Sequence, residues 1–206
     1  MSFRAMQRTR QTTKHESANL AMRNSHAGYG LVAILVHWLV ALVVVGMFTL
    51  GLWMVDLTYY DAWYNEAPAI HKGIGILLFL VMLGRVVWRL SNPRPEDEPD
   101  LSLLERRLAH GAHLLLYLLI FAVMTSGYLI STADGRAIDV FGLFSVPALI
   151  SHLPYQADIA GEIHLYLAIS LVSLAGLHAL AALKHHFLDR NRTLLKMLRP
   201  VRRQHV

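Results

Sequence analysis

Twelve histidines and no cysteine set the chemistry open to this 206-residue chain. Without thiols there is no disulfide, thiolate metal site, cysteine-ligated iron–sulfur cluster or covalently attached c-type haem. Four histidines, His37, His71, His164 and His178, fall within or at the edge of long apolar runs. An ionisable side chain in such a run is costly, so each is a functional candidate. The fourteen residues from His164 to His178 advance a helix by roughly 21 Å and nearly four whole turns. These two therefore share one helix face at two depths. A planar group gripped from both sides needs partners at matching depths on other helices.

The elements that must supply those partners are membrane spans. The chain is 55 % hydrophobic and 16 % charged, with a mean hydropathy of +0.41. Soluble domains carry roughly a quarter charged residues, so lipid is the expected solvent. Residues 31–55 carry no charge, enough to cross a hydrocarbon core that needs ~20 residues per helix. Further apolar runs cover about 69–90, 108–130 and 163–183. The fold class predicted is an all-α membrane protein, a four-transmembrane-helix bundle with both termini on one side.

Basic residues choose that side. The first tail, the link from Arg85 to Arg107 and the tail from Lys184 hold 17 of the 19 lysines and arginines. Only Lys72 and Arg136 fall on the other side, beside Asp56, Asp61, Glu66, Asp134, Asp139, Asp158 and Glu162. The positive-inside bias predicts cytoplasmic termini in a multi-pass protein of the bacterial inner membrane. The net charge of +5 then serves topology and contact with membrane lipid, not nucleic acid. Residues 1–30 read as a flexible basic tail, 31–200 as the bundle domain and 201–206 as a short cytoplasmic tail. The apolar run after the first tail is too long for a secretory signal. The outer link, 131–161, is long and partly apolar, either an interfacial helix or a cap over a cofactor.

In this topology His37 and His178 lie near the cytoplasmic side, while His71 and His164 lie near the outer side. That gives two cross-helix pairs, His37 with His178 and His71 with His164, suited to the axial positions of haem. Zinc or copper would want a third and fourth ligand that these pairs lack. A lone intramembrane histidine more often hydrogen-bonds across helices, but four that pair by depth and share a face point to haem. His110 and His113 compete: either could replace His37 or His178, bond a haem propionate or line a quinone pocket. His185 and His186 read as interfacial. His152, alone in the outer link, carries little signal. Gly73, Gly75, Gly84 and Gly127 suit close approach of a flat ligand or plain helix packing.

The pattern resembles the bacterial cytochrome b561 family. The resemblance rests on His37-Trp38, on His71 with Gly75, Arg85, Trp88 and Arg89, and on Ala109-His110-Gly111-Ala112-His113. Gly135-Arg136, Phe141-Gly142-Leu143, His164 with His178, and the ending Thr193-Leu194-Leu195-Lys196-Met197 complete it. It spans about residues 30–200. It implies a four-helix di-haem cytochrome b with two b haems per chain. His37, His178, His71 and His164 would be the iron ligands, with His113 and Arg85 also cofactor-binding. The implied activity is that of a superoxide oxidase, a superoxide:quinone oxidoreductase passing electrons from superoxide outside the cell to ubiquinone. The alternative is an electron-transfer cytochrome b subunit docked to a dehydrogenase or hydrogenase partner.

One physical argument favours superoxide. Iron with two axial histidines has no open position, so electrons enter through the haem edge. Superoxide gives one electron and a quinone takes two, so paired haems can hold both. The anion meets an acidic outer face where Lys72 and Arg136 are the cations, and such charges can focus an anion. These two are the predicted catalytic residues, against the plainer role of bonding haem propionates.

Overall fold

The computed structural model describes residues 20–201. Four long helices dominate: α1 (Leu31–Met54), α2 (Glu66–Leu90), α3 (Leu103–Ser131) and α4 (Gln156–Phe187), followed by the short α5 (Thr193–Lys196). Each of the four is long and apolar enough to cross a membrane. Large apolar side chains such as Leu42, Val45, Leu114 and Leu118 are mostly exposed. In a membrane these are lipid-facing surfaces, where lipid tails are as apolar as leucine.

The helices form two antiparallel hairpins, α1 against α2 and α3 against α4, joined by further packing of α2 on α3 and α1 on α4. Their shared core is Val40, Leu78, Met82, Ile120 and Leu171. Leu171 lies midway between His164 and His178 along α4. The apolar core is thus a layer between two polar levels.

α1 and α2 match the expected spans closely, whereas α3 and α4 run further. α3 begins at Leu103 because Ser102 and Glu105 close a capping box, each side chain accepting from the other's backbone amide. That satisfies amides which a helix start otherwise leaves unpaired. α4 extends to Phe187, where Lys184 bonds Glu105 of α3 and Asp189 at 2.9 and 2.8 Å.

The link 131–161, outer in the orientation expected from the basic residues, contains no long helix. It forms an antiparallel hairpin, β1 (Ile138–Val140) with β2 (Phe144–Val146), in the register Ile138↔Val146 and Val140↔Phe144. Ile138 and Val140 are buried, and β1 packs on α2.

At the opposite end residues 20–30, read above as part of a tail, are held by backbone bonds. The amides of Ala21 and Glu96 donate to the carbonyls of Val201 and His26, and Val201 donates to Tyr29. Both described ends therefore sit together beside the α2–α3 link, as an even number of spans requires. The expected tails at 1–19 and 202–206 lie outside the described residues.

Candidate functional site

At the outer level His71 of α2 and His164 of α4 face each other, their ring centres 6.2 Å apart and the planes at 72°. A metal–imidazole bond is ~2 Å and the ring centre lies about 1 Å beyond the nitrogen, so two rings sharing one metal stand about 6 Å apart. The observed spacing fits that arrangement. His164 Nδ1 lies 2.9 Å from the Val123 carbonyl and 3.1 Å from Ser126 Oγ. A carbonyl only accepts, so Nδ1 carries the proton and Nε2 keeps a free lone pair. Ligating histidines are commonly oriented in this way by a bond from the other ring nitrogen. His71 Nδ1 is buried without a hydrogen-bond partner.

Two glycines make room for these rings. A Cβ on Gly51 of α1 would lie 3.4 Å from His71 Cε1, and one on Gly127 of α3 would lie 3.1 Å from His164 Cε1. Four helices thus shape one small site. Gly127 was among the suspected glycines; Gly51 carries no signal in the sequence, since only the fold brings it against His71. Gly75 lies near Met47, and a Cβ on Gly84 would meet nothing within 4 Å.

Lys72 is exposed beside His71 and has no ion pair among the described residues. Arg136 is different. Its Nε lies 2.7 Å from Asp134 Oδ2, with a second bond from its backbone amide. These bonds hold the Asp134 carboxyl below the usual carboxylate range. Most of the Arg136 charge is therefore offset next door, and Lys72 is the less compensated of the two.

The inner level is more crowded. Arg85 Nη2 lies 3.1 Å from His37 Nδ1, and its Nε donates to Tyr117 Oη at 2.9 Å. Arg89 stands over the Tyr117 ring at 5.5 Å. His178 has His113 as its ring neighbour, with centres 4.9 Å apart. That is shorter than two rings across a shared metal would need, so His113 stands beside His178 rather than opposite it. Arg85 Nη1 and Trp88 Nε1 are buried without partners. Buried donors of this kind want acceptors, and a carboxylate-bearing group such as haem supplies them.

Three further histidines are occupied locally, while His186 Nδ1 is buried without a hydrogen-bond partner. His110 faces Asp97, His152 contacts the Ala133 carbonyl, and His185 pairs with Asp189 at 2.6 Å. Glu105, His185 and Asp189 come close enough to suggest a metal cluster. The Lys184 ammonium already bridges both carboxylates, so this is an ion-pair network.

Fold and site define a class: a four-helix membrane bundle carrying histidines at two depths, suited to a planar redox group. A sequence model described as "Prokaryotic cytochrome b561" matches residues 28–200. The chain is 51 % identical over 179 residues to "Cytochrome b561 homolog 2" of Escherichia coli, covering 87 % of this chain and 95 % of the relative. It is 33 % identical over 174 residues to "Probable superoxide oxidase CybB" of Yersinia pestis, covering 84 % and 97 %. To "Cytochrome b562" of Cereibacter sphaeroides it is 29 % identical over 178 residues, covering 84 % and 96 %. The chain belongs to the prokaryotic cytochrome b561 family. It is accordingly a multi-pass electron-transfer protein of the bacterial inner membrane, and membership implies b-type haem.

Proposed function

We propose that this chain is a superoxide:ubiquinone oxidoreductase that carries two b haems in series, with both termini in the cytoplasm. The outer haem is held by His71 and His164. The inner haem is held by His37 and His178, with His113 and Arg85 beside it. The observation carrying this reading is the outer pair: two rings at ligand spacing, one oriented by a carbonyl, with the uncompensated Lys72 next to it. A relative bearing the name of a probable superoxide oxidase supports the choice of donor.

The chemistry balances as two superoxide anions giving one electron each and leaving as dioxygen. One ubiquinone takes both electrons and two protons to become ubiquinol. When bound, haem supplies the one-electron relay. The protein orients the ligands, keeps solvent from the iron and brings the anion to the outer face. Lys72 attracts it, with Arg136 contributing less. Along α4 the two levels are roughly 21 Å apart at 1.5 Å per residue.

Rapid mixing of oxidised protein with superoxide tests the proposal. The expected result is haem reduction at ~10⁸–10⁹ M⁻¹ s⁻¹, the range open to electrostatically steered encounter, followed by ubiquinol formation. Slow reduction without quinone turnover would instead favour the electron-transfer subunit of a dehydrogenase or hydrogenase. A gene for the catalytic partner beside this one would point the same way.

A further inference from the structure

Two links join helices at the His71–His164 end of the bundle, and they are built differently. Residues 55–65, between α1 and α2, include Asp56 and Asp61, and Tyr60 at their tip is 95 % exposed. In the link from α3 to α4, residues 140–157 hold no aspartate, glutamate, lysine or arginine. That segment nevertheless exposes Leu143 at 77 %, Leu149 at 82 % and Tyr155 at 76 %, with Phe141, Ile150 and Leu153 half exposed. Exposed apolar surface on this scale marks contact with lipid or with another protein.

The depth of the hairpin decides between them. The Phe141 ring packs on Gly73 of α2, where a Cβ would lie 2.7 Å from ring carbons. Two residues turn a helix by about 200°, so this is the flank of α2 turned away from His71 and from the bundle. Leu90, the last residue of α2, lies seventeen positions beyond Gly73, roughly 26 Å at 1.5 Å per residue. The hydrocarbon to be crossed is ~30 Å thick. A span that ends at Leu90 or before it therefore puts Gly73 inside the hydrocarbon's edge, and the hairpin tip lies along the helix at that depth.

A non-helical backbone there must find its partners within the protein, because water is scarce. Residues 147–153 find them in side chains from α3 and α4 and the residue that caps α3. Tyr128 Oη donates to the Pro147 carbonyl at 2.8 Å and accepts from the Leu149 amide at 2.7 Å. Thr132 Oγ1 and Gln156 Nε2 donate to the Ile150 carbonyl at 2.9 and 3.2 Å, and Gln156 Oε1 accepts from the Leu153 amide. Both Thr132 and Gln156 are buried. The His152 amide donates to the Ala133 carbonyl at 3.0 Å, with a φ of 59°, a conformation that persists only where surrounding structure fixes it. A loop open to water could leave these groups to solvent.

We propose that residues 140–155 form a shelf seated in the headgroup–acyl boundary of the adjacent leaflet, with lipid as its partner. Asp139 and Asp158 bound the segment. This is the interfacial reading of the link without the helix, and it does not depend on which donor feeds the haems.

The chain has no native cysteine, so single thiols test the shelf directly. Leu143→Cys, Leu149→Cys and Tyr155→Cys would each carry a nitroxide in haem-loaded protein, reconstituted in vesicles of phosphatidylethanolamine and phosphatidylglycerol. Collision with oxygen, which concentrates in lipid, is compared with collision with a neutral nickel chelate, which stays in water. Leu42→Cys, midway along α1, and Tyr60→Cys supply the lipid and water references, and retained haem spectra show that each variant is folded. The shelf predicts oxygen collision near the Leu42 reference and nickel collision several-fold below the Tyr60 reference. Nickel collision equal to the Tyr60 reference would put the segment in water and overturn the proposal. Shielding from both probes would mean a protein cover, whether a partner or a second copy of this chain, and would overturn it equally.

Discussion

The two histidine levels differ in economy. The outer level brings His71 and His164 together with few polar neighbours: a serine, a main-chain carbonyl and two glycines that make room. The inner level gathers His37, His113 and His178 with Arg85, Arg89, Tyr117 and Trp88, and leaves two of these donors without acceptors. A site that only passes electrons needs a ligand pair and a dry surround. A site that also meets a quinone must deliver protons and hydrogen bonds, and so needs polar groups beyond the ligands. On the function proposed above, the difference would suit one-electron entry at the outer level and proton-coupled exit at the inner one.

The largest expected effect breaks the comparison in half. Replacing His71 or His164 by alanine should remove the outer haem and spare the inner one, and His37 or His178 the reverse. Haem content by pyridine haemochrome and a redox titration resolving two steps in the parent would report this. Loss of both haems from every single variant would show that the levels are not independent.

The levels themselves were legible because helical geometry converts sequence spacing into depth. The fourteen residues between His164 and His178, with four charge-poor runs, were enough to place two histidines near each face. What the sequence hid depends on tertiary contact. Gly51 is unremarkable until α1 packs on α2. The β1–β2 hairpin has strands of three residues, too short for alternation to declare itself, and exists because Val140 is buried on α2. Phe141 in a left-handed turn runs against local preference, so no turn signal marks it. Depth alone also paired His37 with His178, and could not foresee that His113 would be the ring neighbour of His178 or that Arg85 would contact His37. Residues 20–30 looked like tail because their partners, Val201 and Glu96, are distant in sequence and reached through main-chain atoms.

A smaller effect sharpens the claim that the outer site is preformed. Gly127→Ala would put a methyl group 3.1 Å from His164 Cε1, and the ring must shift by a few tenths of an ångström to accept it. Outer-haem retention should fall by roughly tenfold, the lower end of what disturbing a ligand's support costs. Gly84→Ala, which meets nothing within 4 Å, should leave both haems in place. Equal behaviour of the two variants would mean that His164 is not held tightly. At the inner level Arg85→Gln should weaken retention of that haem alone, because Arg85 contacts both His37 and Tyr117.

The smallest expected effect concerns the charges at the outer face. If Lys72 draws the anion, Lys72→Gln should lower the bimolecular rate of reduction by superoxide. It should also flatten the fall of that rate with ionic strength, since attraction is screened over ~10 Å at ~0.1 M salt. Arg136→Gln should do less, because Asp134 already offsets its charge at 2.7 Å. Asp134→Asn is the sharper probe: it frees Arg136 without removing a cation, so the rate should rise and its salt dependence steepen. The pH dependence follows from the same pair. The Asp134 carboxyl is held below its usual range, chiefly by bonds from the Arg136 amide and guanidinium. A depressed carboxylate pKa means that the pair is intact above the unfolded value of ~3.9 and is lost only as pH falls through the lower folded one. Between about pH 5 and 8 the contribution of Arg136 should therefore stay constant, and any rate change in that window must come from another group. A wild-type rate and salt slope in Lys72→Gln, with no gain in Asp134→Asn, would remove steering from the account and leave the ligand pair alone to explain reactivity at the outer face.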